Sequence, residues 1–317
     1  MEHLIDPPEP GVYPDVPMSE YLAWDAASSS RINELRKSPA HLREQLEEDE
    51  EDTKAQRMGK LIHTAVLEPE LFYENYEVLG ECDGELGDGS PCTNNAAYTT
   101  DQGQFCNIDS HGIPKDESEE GPEAVKQDEF DTCKGVIDSV WNKKYAVALL
   151  EDEGGGTEMS LVWQEKIDGL VIPCKARIDA DAPNRPSGPT IADIKTARDV
   201  TKHGFTRDMY RWGYHYKVAH YLRGARALGF DREYFCMIAV EKNPPYPCAI
   251  YEPRGWVVDS VMPRLEKLLA AYQRIRIEDT FPGLPDEIQK VGMPDWVEHS
   301  MDRDVELVLD SISEITE

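Results

Sequence analysis

Between Glu158 and Tyr251 the sequence alternates short apolar strands with one long amphipathic helix, a pattern that allows little besides an α/β sheet. Glu158–Trp163 has strand character, Lys166–Leu170 carries the turn pair Asp168-Gly169, and Val171–Asp179 alternates apolar and polar residues. Thr190–Lys195 is a short buried strand behind the loop Pro183–Pro189. Phe205–Leu228 predicts a single helix closed by Gly229. Tyr234–Glu241 and Cys248–Tyr251 are further strands, parted by Asn243-Pro244-Pro245. Val257–Ile277 predicts a helix with Met262, Leu265, Leu268, Leu269 and Tyr272 on one face.

Upstream, the pattern is helical and no internal repeat is visible. Ser28-Ser29-Ser30 offers N-caps for a helix through Ile32, Leu35 and Arg36 that stops before Pro39. A second helix runs from Pro39 to about Glu48. Gln56–Leu67 spaces Met58, Leu61, Ile62, Ala65 and Val66 for a buried helix, with Gly59 open to a close backbone approach and His63 following Ile62. Val125–Leu150 reads as helix with Val136, Val140 and Ala148 toward the core.

Charge limits the partners. With 33 basic and 62 acidic residues the formal charge is −29, which repels phosphate at long range. The acidic runs Glu44–Asp52 and Lys115–Glu123 read as solvated helix ends or linkers, or as the mark of an acid-rich host. No apolar run approaches the ~20 residues of a membrane helix, and Met1–Pro17 carries no secretory pattern. A cytoplasmic protein is expected.

Three carboxylates lie in or at the ends of consecutive strands: Glu158, Asp179 and Asp193. Lys195 shares the Asp193 face, because strand residues i and i+2 point the same way, and the Ile194 side chain points to the other layer. Strand adjacency would set Asp179 beside Asp193. Carboxylates gathered this way repel one another unless cations neutralise them, and hard oxygen ligands select Mg²⁺ or Mn²⁺. On spacing alone, Asp-x-Lys reads more readily as an ordinary strand-end residue with a surface salt-bridge partner.

The order of the surrounding pieces resembles the PD-(D/E)XK nuclease superfamily, and within it the RecE-type phage exonucleases. The matching pieces begin with Ser28-Ser29-Ser30, Ser38-Pro39-Ala40-His41, Met58-Gly59-Lys60-Leu61-Ile62-His63 and Leu67-Glu68-Pro69. They continue with Glu158-Met159-Ser160, Trp163, Cys174-Lys175-Ala176-Arg177-Ile178-Asp179 and Asp193-Ile194-Lys195-Thr196. Phe205, Gly213-Tyr214-His215, Tyr221 and Val240-Glu241-Lys242 complete the set, which covers about residues 19–275. The resemblance implies a restriction-endonuclease-like core, a central mixed sheet flanked by helices. It implies that Asp179, Asp193 and the Ile194 carbonyl bind a catalytic Mg²⁺ or Mn²⁺ with Glu158 nearby and His63 over the site. It assigns Lys195 to the water nucleophile, as orienting group or general base. Where the family usually has a glutamine before the helical tyrosine, this chain has Lys217.

The implied activity is digestion of duplex DNA ends, 5′ to 3′, leaving 3′ strands for a single-strand annealing recombinase, in a ring-like homo-oligomer. An endonuclease, a single-strand nuclease or a DNA-binding module without catalysis would be the alternatives.

The net charge hides a local reversal. Lys195–Arg226 holds eight basic residues against Asp199 and Asp208, so the local balance is 8 − 2 = +6. Arg207, Arg211, Tyr214, Lys217 and Tyr221 would share one helix face, with Arg198 and Lys202 just ahead, suited to a phosphate backbone. Met209, Trp212, Tyr216 and Ala219 would form the buried side.

Seven cysteines in a chain of this kind favour thiols or a metal site over disulfides. Cys82, Cys92, Cys106 and His111 fall in a polar, glycine-rich stretch and would close a tetrahedral structural Zn²⁺ site. Cys133, Cys174, Cys236 and Cys248 sit singly in apolar segments and read as core residues. The expected organisation is a helical part over residues 1–80, a zinc-binding insertion over 81–120, the nuclease core over 121–280 and an acidic extension over 281–317.

Overall fold

The Asp168-Gly169 pair turns as its residue types require. Both residues adopt positive φ, 53° and 77°, and they join the two longest strands of the molecule. The computed structural model describes residues 4–47, 53–78, 80, 82–85, 90–92, 98–100, 103–105 and 123–292. The chain opens with β1 (Gly11–Tyr13) and the helices α1 (Met18–Ala23), α2 (Ser29–Lys37), α3 (Pro39–Glu47), α4 (Lys54–Leu67) and α5 (Pro69–Asn75). The short strands β2 (Tyr76–Val78), β3 (Tyr98–Thr100), β4 (Gly103–Phe105) and β5 (Glu123–Val125) precede α6 (Gln127–Trp141) and α7 (Lys144–Leu150). Then come β6 (Thr157–Ile167), β7 (Leu170–Ala182), β8 (Thr190–Ala197), α8 (Lys202–Arg211) and α9 (Tyr214–Ala227). β9 (Tyr234–Glu241), β10 (Cys248–Tyr251) and α10 (Gly255–Ile277) follow.

Six strands form one sheet in the order β1-β6-β7-β8-β9-β10. The β8–β9 pair is parallel and the other pairs are antiparallel, so the sheet is mixed. Helices cover both faces. On one face Trp163, Ile178, Phe205, Leu222, Leu265 and Leu269 pack into one core. On the other, Ile62, Val66, Val136, Val140, Ile194 and Ile238 form a second. The four cysteines expected in the core, Cys133, Cys174, Cys236 and Cys248, are buried.

Ser28 caps α2 as the sequence predicts: its Oγ accepts from Arg31 N. α4 begins earlier than expected, because Thr53 with Gln56 makes a capping box ahead of Lys54. The N-terminal segment is held by a buried lysine. Lys175 Nζ donates to the carbonyls of Tyr21, Leu22 and Trp24 at 2.7, 3.1 and 2.7 Å, and burial pushes this ammonium down to about 6.

Several expectations need correction. The single helix over Phe205–Leu228 is two helices, broken at Gly213, whose φ of +72° is left-handed. A Cβ at Gly213 would sit 2.1 Å from Asn33 Oδ1, so the break is also a docking point on α2. The break turns Trp212 outward, to 54% exposure, instead of burying it. Val125–Leu150 is likewise split at Asn142-Lys143, and Ala146 and Leu149 are buried while Ala148 is exposed. Gly59 meets no backbone among the described residues, none of which comes within 4 Å of where its Cβ would be. The stretch read as irregular contains the antiparallel β3–β4 pair, and β2 pairs in parallel with β5. β1, with only three residues, has too short a pattern to be read.

Residues 283–317 separate as a second compact unit, of which 283–292 are described.

Candidate active site

The site lies where β7 and β8 part. Their pairing runs from Ala182↔Thr190 only to Ala180↔Ala192. Beyond it the next backbone donor, Ile194 N–H, is taken by the Asp179 side chain, Oδ2 at 2.6 Å. The β6–β7 ladder is interrupted at the same level, between Thr157↔Ala180 and Met159↔Ile178, and Glu158 has φ of +52°. Ile178 packs in one core and Ala180 in the other, although residues two apart in a regular strand share a face. The irregularity re-aims Glu158 and Asp179, as a bulge does.

His63 arrives from α4. Its Nε2 donates to the Ile194 carbonyl at 3.1 Å. Its Nδ1 then faces Asp179 Oδ2 at 3.5 Å, lone pair toward lone pair, which only a proton or a cation between them satisfies. His63, Glu158 and Asp179 each bring one ligand atom within 4.8 Å of the others. Oxygen donors with one imidazole make a set that a divalent cation fits. The Ile194 carbonyl, shared by His63 and by Lys195 Nζ at 3.1 Å, lies at its edge.

Asp193 lies between two lysines. It has no exposed surface and is ion-paired to both Lys195 and Lys217. Burial would push its carboxyl up, but the two ammoniums overcome this and hold it well below the usual range. Burial, with the Lys217 charge beside it, pushes the Lys195 ammonium down. Among the described residues, the ligand atoms that lie within 4.8 Å of one another are those of His63, Glu158 and Asp179, without Asp193. Glu158 is pushed up, first by burial and then by the Asp179 charge, against the opposing Arg177 guanidinium.

Arg177 is a site residue that motif reading missed. Its Nε donates to Glu158 Oε2 at 2.5 Å, and its Nη1 reaches the Val16 carbonyl at 2.7 Å and Ser160 Oγ at 3.3 Å. Its place in the Cys174–Asp179 motif, two residues before Asp179, is the signal that would have found it.

The predicted DNA-binding set divides. Arg198, Lys202, Arg207 and Arg211 are exposed, and none makes an ion pair among the described residues. Tyr214 is half-buried, its ring 5.5 Å from Lys195 Nζ. Lys217 is committed to Asp193, and Tyr221 is buried at 5% exposure. The five residues from Arg207 to Tyr221 thus do not present one face, because the Gly213 break separates them onto two helices. Cys82 and Cys92 are buried, and Gly84 N–H points at Cys82 Sγ at 3.4 Å. Cys106 and His111, the other two expected zinc ligands, lie outside the described residues.

A mixed sheet with helices on both faces, and a carboxylate–lysine site where two of its strands part, define a PD-(D/E)XK-like nuclease fold. The chain belongs to the family of the PDDEXK-like domain of unknown function (DUF3799), whose model matches residues 28–292. Among solved structures it is similar to a "Putative exonuclease" from Eubacterium rectale, at 13% identity and a TM-score of 0.53. That match covers 85% of this chain and 91% of the other. A second structure, SSO0001, shares 18% identity over 45% of this chain and 61% of its own, and its TM-score of 0.29 supports no argument. No curated protein matches the sequence. Among the described residues no helix is long and apolar enough to cross a membrane.

Proposed function

We propose that this protein is a metal-dependent exodeoxyribonuclease that hydrolyses phosphodiester bonds inward from duplex DNA ends. The observation that carries the reading is the convergence of His63, Glu158 and Asp179 beside the Asp193–Lys195 pair. Those three side chains, with the Ile194 carbonyl, would hold Mg²⁺ or Mn²⁺, and Asp193 would approach it once released from a lysine. The bound ion would acidify a water and neutralise charge on the phosphoryl oxygens. The chain's own groups do the positioning. Arg177 fixes Glu158, and the Ile194 N–H fixes Asp179. Lys195 Nζ, held by Asp193, is the group placed to orient the attacking water. Arg198, Lys202, Arg207 and Arg211 supply charge for the phosphate backbone.

The finer reading rests on resemblance to RecE-type enzymes: 5′ to 3′ polarity, 3′ single-stranded products, an annealing partner and a ring-like oligomer. Structural zinc in the insertion is supported by the burial of Cys82 and Cys92 and by the Gly84 N–H directed at a sulfur.

End-labelled linear duplex and covalently closed circles, each with Mg²⁺, test the proposal. Linear DNA should be degraded from its ends and circles spared. Asp179→Asn should lower the rate about a thousandfold, since several kcal/mol of charge stabilisation disappear, with an unchanged circular-dichroism spectrum. Cleavage of circles would make the protein an endonuclease. DNA binding without any cleavage would make it a binding module.

A further inference from the structure

Large aromatic side chains on a charged surface normally turn inward, because leaving a tryptophan in water forgoes the free energy of its burial. At the α8–α9 junction two stay out. Tyr210 is 44% exposed and Trp212 is 54% exposed. The backbone beneath them is fixed: Asn33 Nδ2 donates to the Trp212 carbonyl at 3.2 Å, and Gly213 is buried against α2. The indole is therefore displayed by a held turn.

Cations and rings extend the patch. The Arg211 guanidinium lies 5.0 Å from the Trp212 ring centre. Tyr210, His215 and Tyr216 follow one another at 5.1 and 4.7 Å between centroids, and Arg36 covers Tyr216 at 4.4 Å. Arg36 and Arg211 are exposed. Two residues beyond Trp212, the Tyr214 ring approaches Lys195, so the patch is adjacent in the chain to the candidate active site. Exposed rings interleaved with arginines suit an occupant that is anionic along its length and presents flat faces.

We propose that this patch is a stacking platform for unpaired nucleotides, binding a single strand next to the site where the duplex end is cut. The placement next to cleavage rests on the nuclease reading; the binding itself does not. Duplex DNA offers its backbone but not its base faces, so the platform discriminates between the two forms.

Full-length protein in EDTA, where no cleavage occurs, is titrated into fluorescein-labelled oligo-dT and into a blunt duplex of equal length. Losing one stacked base removes a sequence-independent contact, so Trp212→Ala should weaken oligo-dT binding about tenfold, which is about 1.4 kcal/mol. Duplex binding should change less than about twofold, and Trp212→Phe should keep most of the single-strand affinity. Equal losses on both DNAs would reduce the patch to a general backbone contact and overturn the proposal. So would unchanged oligo-dT binding. Sedimentation of both proteins gives the remaining outcome: a wild-type dimer that Trp212→Ala dissociates would assign the patch to a second copy of this chain. Linear-duplex digestion by the wild type is scored separately. Its absence alongside tryptophan-dependent oligo-dT binding would sink the nuclease reading and leave the platform standing.

Discussion

Asp193 has no exposed surface, yet it stays ionised because two lysines stand against it. A buried carboxylate with a single cation is costly, and removing one partner of a buried pair usually costs 3–5 kcal/mol. Here a second lysine remains, so the loss should be smaller. Lys217→Met should destabilise the metal-free protein by about 2 kcal/mol. Mg²⁺ should restore part of that stability, because a divalent cation next to Asp193 supplies the missing charge. Thermal melts in EDTA and in Mg²⁺ check this. An unchanged midpoint in EDTA would mean that Lys217 contributes nothing to holding Asp193. Lys217 is thus tied to the site's own carboxylate.

At the scale of elements, α9 lies close on the sheet because Gly224 gives it room. A Cβ there would stand 2.6 Å from the Trp163 ring. The ring cannot yield easily. Its Nε1 donates to Glu165 Oε1 at 3.0 Å, and Arg223 Nε donates to the same oxygen at 2.7 Å. Gly224→Ala should therefore cost about 1–3 kcal/mol through overpacking, despite alanine's better helix propensity. Urea denaturation measures the difference; a more stable variant would show that the gap between α9 and β6 can widen freely. The same helix carries Lys217, so a shift of α9 would also disturb Asp193.

For the whole molecule, acid acts in two opposite ways. A net charge of −29 means that protonating carboxylates relieves self-repulsion. His220 opposes this. It is fully buried, its Nε2 donates to the Lys175 carbonyl at 3.0 Å, and burial pushes it from 6.5 down to about 4. The folded state binds this proton less readily than the unfolded chain. The stability it contributes is present above pH 6.5 and is lost as pH falls toward about 4. The shift corresponds to about 3 kcal/mol, and carboxylate titration starts only near the lower end of that range. Stability should fall over this interval, and His220→Asn should flatten the profile. Denaturant midpoints at successive pH values read both. A wild-type profile as flat as the variant's would refute the assignment.

Composition and periodicity alone made β9 and β10 legible to the residue, as well as the cap of α2, the Asp168-Gly169 turn and the core cysteines. All of these follow from local rules: alternation, a side-chain oxygen at a helix start, two residues that tolerate positive φ. The Asp179, Asp193 and Lys195 neighbourhood was legible too, because strand order and the two-residue repeat place them together. Contacts between distant segments decided the rest. Gly213 breaks a helix because α2 presses on it, and that break turns Trp212 outward and parts Arg207 and Arg211 from Lys217. Asp193 meets Lys217, 24 residues away, because α9 packs on the neighbouring strands β6, β7 and β9. A one-dimensional pattern carries the faces of single elements; only packing says which face meets which charge.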